Sequence, residues 1–326
     1  MIVVTGGAGF IGSATIWRLN QLGRDDIIVV DDLGTDDKWK NLNGLKFADF
    51  FDKYSFLEKI EEDSFPFAID TVIHLGACSS TTEQDAGYLM NNNFRYSQEL
   101  VRYFLVRGAR FIYASSAATY GSGESGYNDD ESKLDELRPL NMYGYSKHLF
   151  DMWIKRERLI NKVAGMKYFN VYGPNEYHKD DMRSVVHKAF EQIRDTGGVK
   201  LFKSYKSDYK DGEQKRDFIY VKDAVDMTLY FMEHPDKNGI YNIGTGNART
   251  WNDLVTAVFN AMGKPVKIDY VDMSDDLKNK YQYFTEANID KLKNAGYNKK
   301  ITSLDDGVAD YVQNYLLKQE YFGMSK

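Results

Sequence analysis

Short apolar runs alternate with helical periodicities through the first half of the chain. Residues 2–5, 27–30, 71–75 and 111–115 are nearly continuous apolar stretches bounded by turn residues, the pattern of parallel strands buried on both faces. Between them, residues 11–22 and 97–106 carry apolar side chains three and four positions apart, as helices packed on a sheet do. Residues 55–60 form a weaker helix of the same kind. This alternation predicts an α/β fold with a doubly wound parallel sheet. Past residue 170 the rhythm loosens into mixed α/β patterning. The polar stretch 204–215 reads as a loop covering an active site, and residues 217–221 resume as a strand. Asp223 stands where the N-cap of a helix ending near Met232 is expected. Residues 239–243 read as a short strand before Gly244-Thr245-Gly246, and Ser303 as the cap of a final helix over 303–317.

Composition acts mainly by exclusion. In 326 residues, 43% hydrophobic content supplies a core for one large domain or two unequal ones. A net charge of −6 offers no broad basic surface, so neither nucleic acid nor an anionic membrane is expected as a partner. Cys78 is the only cysteine and no Cys/His cluster has zinc-site spacing, so no disulfide and no metal are expected and a cytoplasmic location fits. No apolar run approaches the roughly 18 residues of a membrane span, and Ile2-Val3-Val4-Thr5 follows the first residue without a leader pattern.

The chemistry begins at Thr5-Gly6-Gly7-Ala8-Gly9-Phe10-Ile11-Gly12, which leaves the first strand and opens the first helix. That context makes it the fingerprint of a Rossmann-type dinucleotide turn. Glycines let the backbone approach a pyrophosphate, and the helix N-terminus offers free N–H groups and a favourable dipole. Asp31 ends the second strand 19 residues after Gly12, where a ribose-binding carboxylate is expected. By itself it favours NAD, because a carboxylate repels a 2′-phosphate. Lys38 and Lys40 follow closely enough to offset that repulsion, so NADP stays open.

Tyr143-Gly144-Tyr145-Ser146-Lys147 sets a phenol and an ammonium on one helix face. A phenol of ordinary pKa, about 10, is a poor base at neutral pH, and Lys147 is expected to lower that value while also reaching the nicotinamide ribose. Upstream, Tyr113-Ala114-Ser115-Ser116-Ala117-Ala118-Thr119-Tyr120-Gly121 carries a strand into a hydroxyl-rich loop, and ligands sit at such strand ends. Ser116 is the candidate that donates to the reacting oxygen; local turn bonding is the alternative for both serines.

In this order the glycine turn, Asp70-Thr71-Val72-Ile73-His74-Leu75-Gly76-Ala77, the serine loop and the Tyr143/Lys147 pair resemble the extended short-chain dehydrogenases/reductases. Phe169-Asn170-Val171-Tyr172-Gly173-Pro174, Arg216-Asp217-Phe218-Ile219-Tyr220-Val221 and Asn242-Ile243-Gly244-Thr245-Gly246 extend the likeness to the nucleotide-sugar epimerases and dehydratases of that superfamily. Gly76-Ala77-Cys78-Ser79-Ser80-Thr81-Thr82-Glu83, with residues 115–121 and 141–147, resembles the ADP-heptose 6-epimerases of Gram-negative bacteria. The resemblance implies an NADP-binding Rossmann domain over residues 1–169, a segment near 217–242 returning to it, and a mainly substrate-binding domain over 170–326. It implies NADP held by Gly6, Gly9, Phe10, Ile11, Gly12, Asp31, Asp32, Lys38, Lys53, Leu75, Gly76, Ala77, Cys78, Ser79, Asn92, Lys147 and Val171. It further implies substrate contacts at Asn170, Phe202, Ser204, Arg216 and Tyr281, and Lys179 as a second base beside Tyr143.

Without the resemblance, Lys179 reads as a solvated loop charge, and Arg216 is open to a structural pairing with Asp217 or another acid. The activity implied is inversion at C6 of an ADP-heptose by transient oxidation, serving the inner core of lipopolysaccharide, in a homo-oligomer with a pentamer among the candidates. Asp180-Asp181 after Lys179 and the long 204–215 stretch depart from the pattern. The rival readings are another nucleotide-sugar 4-epimerase, a dehydratase, which would need a carboxylate where Ala117-Ala118 stand, and a dinucleotide-binding protein without catalysis.

Overall fold

The computed structural model describes residues 1–278 and 281–324. Seven strands, Ile2–Thr5, Ile27–Asp31, Asp49–Asp52, Thr71–His74, Arg110–Ser116, Val163–Tyr168 and Gly239–Ile243, form one sheet. By first residue their spatial order is 239, 163, 110, 71, 2, 27, 49, and every pairing is parallel. The expected strands are present to within a residue or so at each end. Asp49–Asp52 and Val163–Tyr168 escape the apolar pattern, because the first is bracketed by acids and the second contains Gly165 and Lys167.

Alternate strand residues bury into opposite layers. Val3, Ile28 and Val72 pack with Phe56, Phe104 and Trp153 on one face. Val4, Val29 and Ile73 pack with Ile16, Leu19, Val225 and Leu229 on the other. Each such side chain contributes about 1.5–3 kcal/mol by leaving water, which is why the sheet needs helices on both sides. Helix Val221–Glu233 packs beside Phe10–Gln21, and strand Gly239–Ile243 then closes one sheet edge.

The remaining strands form three small pairs: Asn170–Tyr172 with Phe218–Tyr220, Val199–Phe202 with Ile268–Val271, and Lys215–Arg216 with Arg249–Thr250. Helices Val185–Thr196, Trp251–Ala261 and Leu304–Tyr311 pack among them. No helix among the described residues is long and apolar enough to cross a membrane, and none of their His, Cys, Asp and Glu side chains cluster as a metal site.

Two local expectations change. The strand expected over 217–221 is split, because Asp217 turns inward between Lys215–Arg216 and Phe218–Tyr220. Asp223 lies inside the first turn of a helix whose N-cap is Tyr220, and its carboxylate accepts from the Thr302 N–H at 3.0 Å instead. The 204–215 stretch is a loop, as expected, up to the short strand that begins at Lys215, and it is tied down. Its Ser204 N–H donates to Asp211 at 2.7 Å, and Asn252 donates to the Asp211 carbonyl and the Glu213 carboxylate, each at 3.1 Å.

Candidate active site

The order of the strands reverses between Ile2–Thr5 and Thr71–His74, and the carboxyl ends of these two neighbours open a cleft of about 600 Å³. Gly6 leaves the first strand at φ 66°, and a Cβ there would stand 2.7 Å from the Gly76 nitrogen. Only glycine lets the two crossing turns touch. Gly9 then caps helix Phe10–Gln21 with no side-chain hydrogen bond, so the first-turn N–H groups remain available to an anion. Leu75, Gly76, Ala77 and Ser79 form the opposite wall. This cradle of glycine backbone and helix dipole fits a dinucleotide pyrophosphate.

At one end of the cleft Asp31 ties the turn together. Its carboxylate accepts from Ala8 N–H at 2.8 Å and pairs with the Lys38 ammonium at 3.0 Å. Lys38 also donates to the Asp32 carbonyl. Asp32 pairs with Lys53 at 3.0 Å, which holds its carboxyl below the usual range, and Lys53 continues to Asn92 at 3.2 Å. Asp32, Lys53 and Asn92 therefore make a rim beside the cleft rather than its lining. Cys78 is also outside the lining; its N–H and carbonyl are both held by Asn93, at 2.9 and 3.0 Å. Lys40 pairs with Asp37 at 2.7 Å on the surface.

Asn141 caps helix Met142–Arg156 by accepting from Gly144 N–H at 2.8 Å. The helix approaches the serine loop so closely that a Cβ on Gly144 would lie 2.7 Å from the Ala118 carbonyl. This contact brings Tyr143 and Lys147 to Ser116, and all three line the cleft. The Ser116 hydroxyl accepts from Ala118 N–H at 3.1 Å, leaving its own proton for Tyr143, with which it is bonded. Ser115 turns away and donates to buried Asp151 at 2.7 Å.

The expected lowering of the Tyr143 pKa by Lys147 is not what this arrangement produces. Burial raises the phenol, and the Ser116 bond only opposes that rise. Lys147 donates to the Ala114 carbonyl at 2.8 Å, and its own pKa is lowered to about 8 by burial, with Asp151 opposing. Desolvation is the largest cause acting on each of the two groups.

Lys179 enters from the other side of the cleft, half-buried, with its ammonium 5.2 Å from the Phe10 ring centre. It is not a solvated charge: burial lowers its pKa, and Glu176 opposes. Asn170 and Val171 line the same wall.

Beyond them lies an aromatic box around Arg216. The guanidinium is buried, with Trp251 and Tyr281 ring centres 5.6 and 5.5 Å away. Its hydrogen bonds among the described residues go to the Lys215 and Gln282 carbonyls, and no ion pair with Asp217 forms. Asp217 is instead consumed by Thr245 N–H and hydroxyl, both at 2.7 Å, Gly246 N–H at 2.9 Å and Ala287 N–H at 3.0 Å. Those bonds link the Arg216-Asp217 and Gly244-Thr245-Gly246 segments. Phe202 meets Tyr281 edge-on at 6.4 Å. Trp251, which lines the cleft and donates to the Tyr281 hydroxyl at 2.9 Å, joins this box to the cleft that Tyr143 and Lys147 line. Ser204 is the outlier, since its hydroxyl donates within its own loop to the Lys206 carbonyl at 3.0 Å.

Trp251 and Glu176 went unread in the sequence. Trp251 carries no motif around it. Glu176 had a faint signal, an acid three positions before Lys179 in Glu176-Tyr177-His178-Lys179.

The profile of the NAD dependent epimerase/dehydratase family matches residues 2–244. An ADP-L-glycero-D-manno-heptose-6-epimerase of Nitratidesulfovibrio vulgaris (strain DP4) is 53% identical over 322 residues, covering 99% of this chain and 100% of the relative. The crystal structure of the Helicobacter pylori enzyme of the same name superposes with a TM-score of 0.81 at 29% identity, covering 96% of this chain and 95% of that one. UDP-glucose 4-epimerase of Thermus thermophilus, solved in complex with NAD, superposes with a TM-score of 0.74 at 25% identity, covering 96% and 97%.

Proposed function

The chain belongs to the NAD dependent epimerase/dehydratase family, and from that membership and its site we propose that it inverts C6 of ADP-glycero-manno-heptose, converting the D-glycero to the L-glycero epimer. The observation that carries this reading is the convergence of Ser116, Tyr143, Lys147 and Lys179 on one cleft, in a chain alike over its whole length to a relative named for that reaction.

A bound nicotinamide dinucleotide supplies the hydride acceptor and donor. The protein's own work is to hold, orient and move protons. Tyr143 exchanges a proton with the reacting oxygen on one face, burial favouring its neutral, proton-donating form, while Ser116 also donates to that oxygen. Lys179, whose lowered pKa brings its neutral amine nearer to neutral pH, serves the opposite face. Lys147, fixed by Ala114, orients the dinucleotide beside Tyr143. Arg216 anchors the diphosphate through paired N–H donors, so the sugar end turns while the nucleotide end stays put.

We infer NADP as the preferred dinucleotide, because Lys38 and Lys53 neutralise Asp31 and Asp32 and leave the rim able to accept a 2′-phosphate. We also assign residues 1–169 with the returning 217–242 segment to dinucleotide binding and the rest of 170–326 mainly to the sugar nucleotide, the product serving the lipopolysaccharide inner core.

The test is incubation of the purified protein with ADP-D-glycero-β-D-manno-heptose without added dinucleotide, following the C6 epimer by NMR. Formation of the L-glycero epimer is expected, together with NADP as the dinucleotide released on denaturation. No conversion even with added NADP overturns the substrate assignment; NAD in the released fraction overturns the dinucleotide assignment alone.

A further inference from the structure

Lys179 is carried by an irregular turn whose own backbone bonds are few, Lys179 N–H to the Glu176 carbonyl at 3.1 Å and Arg183 N–H to the Asp180 carbonyl at 3.2 Å. The short segment Tyr177–Met182 is kinked at Asp180, whose φ is 44°. A lysine on a loose turn gains entropy by swinging into water, so a cleft-facing position has to be enforced.

Glu176 does the enforcing. Its side chain has no exposure, and both oxygens reach across the turn to Ser184. Oε2 accepts from the Ser184 N–H and Oε1 from its hydroxyl, each at 2.6 Å. Ser184 in turn is the N-cap of helix Val185–Thr196, so the carboxylate ties the start of the turn to a rigid element. A third donor comes from behind. The Tyr311 hydroxyl is bonded to Glu176 and contacts His187 Nδ1 at 3.1 Å. Burial keeps His187 neutral, and with Arg183 donating to its Nε2 at 3.4 Å the Nδ1–H donates to Tyr311, whose own proton goes to Glu176. Three donors, the Ser184 N–H, the Ser184 hydroxyl and the Tyr311 hydroxyl, thus point at one carboxylate.

We propose that Glu176 is a positioning residue for Lys179, closing the 176–184 turn and directing the Lys179 ammonium into the cleft over Phe10. The proposal rests on the reading of Lys179 as a second base. A fully buried carboxylate is costly, and a glutamine would satisfy part of the same network. What glutamine would not supply is the charge that faces Lys179. Of the other charged groups nearby, Arg183 pairs with Glu191 at 2.8 Å and Lys38 pairs with Asp31 at 3.0 Å, while Asp36 and Asp180 lie close enough to act on His178. Glu176 is the group whose field opposes the lowering of Lys179 by burial.

The experiment is trace acylation of the Lys179 amine across pH, read by peptide mass spectrometry, alongside turnover, in the wild type, Glu176→Gln, Glu176→Asp and Lys179→Met. In Glu176→Gln the Lys179 titration moves to lower pH and turnover falls about tenfold or more with little change in KM. Glu176→Asp keeps the charge, so its titration stays near wild type while turnover drops. An unchanged acylation curve in Glu176→Gln, with turnover lost only in step with thermal stability, overturns the positioning role. Normal turnover in Lys179→Met removes the second-base reading instead, and the acylation curve still decides whether Glu176 governs Lys179. Ser184→Ala is the milder change if Glu176→Gln does not fold. It should lower turnover severalfold at constant KM, and unchanged turnover overturns the proposal.

Discussion

Lys167 and Asp151 form an ion pair of 2.7 Å in which neither side chain has any exposure. It lies directly behind Ser116 and the Tyr143 helix. Tyr113 and Ser115 donate to the same Asp151 carboxylate at 2.9 and 2.7 Å, and the Lys167 ammonium donates to Thr119 at 2.6 Å. The strand that delivers Ser116, the turn after it and the helix that delivers Tyr143 are thus joined at one buried charge pair. Removing one partner strands the other. Lys167→Met is expected to cost about 3–5 kcal/mol in urea unfolding, while the double change Lys167→Met/Asp151→Leu costs clearly less. Equal losses would show that packing, not charge compensation, dominates there.

Lys147 is held in its buried position at a cost in stability. Burial lowers its folded pKa to about 8 from 10.5, so the folded state binds that proton less tightly than the unfolded chain. The penalty is fully present below pH 8 and is relieved as pH rises from about 8 to 10.5. Lys147→Met should therefore be more stable than the wild type at pH 7 by about 2 kcal/mol, after loss of the bond to Ala114, yet nearly inactive. Unfolding curves across this range check it. A gain that does not shrink above pH 8 would argue against the desolvated ammonium.

Two of the buried histidines, His74 and His187, weaken the fold in acid. His74 bridges Thr5 at 2.6 Å and Ser97 at 2.8 Å, and burial lowers its pKa to about 3; His187 is lowered to about 3 in the same way. Below the unfolded value of 6.5 the unfolded chain takes up protons that the native state refuses. Stability is thus lost as pH falls from 6.5 toward 3, at about 1.4 kcal/mol per pH unit from each residue. In His74→Gln the slope of unfolding free energy against pH over that window should fall by one proton.

Arg216 has its charge buried between two rings, and its hydrogen bonds among the described residues go to carbonyl acceptors. An anionic group is the partner its remaining donors suit. Arg216→Met should weaken ADP binding by roughly 10- to 100-fold in calorimetry, the loss expected for a charge-assisted bond. The nicotinamide end should still bind its dinucleotide at wild-type affinity.

Local chemistry carried what the sequence determined by itself. The glycine turn needs a strand before it and a helix after it, Asp31 needs to end the next strand, and Tyr143 and Lys147 need only helical spacing. All are relations between near neighbours, written in apolar period and residue type. The four strands read from apolar runs share one sheet for the same reason, since burial on both faces leaves a continuous hydrophobic signature.

Tertiary structure decided what depends on distant partners. Val163–Tyr168 is a central strand although it contains Lys167, because Asp151 in a helix compensates the charge. Asp217 interrupts a strand because Thr245, Gly246 and Ala287 wait to donate to it. Lys179 faces the cleft because Glu176, Ser184 and Tyr311 close its turn from two helices. The Tyr143 phenol is raised rather than lowered because the elements packed around it remove water, and desolvation grows with every neighbour regardless of where it lies in the chain. Spacing along the backbone tells which groups face the same way. Only the packed fold tells how much water, and how much opposing charge, each group keeps.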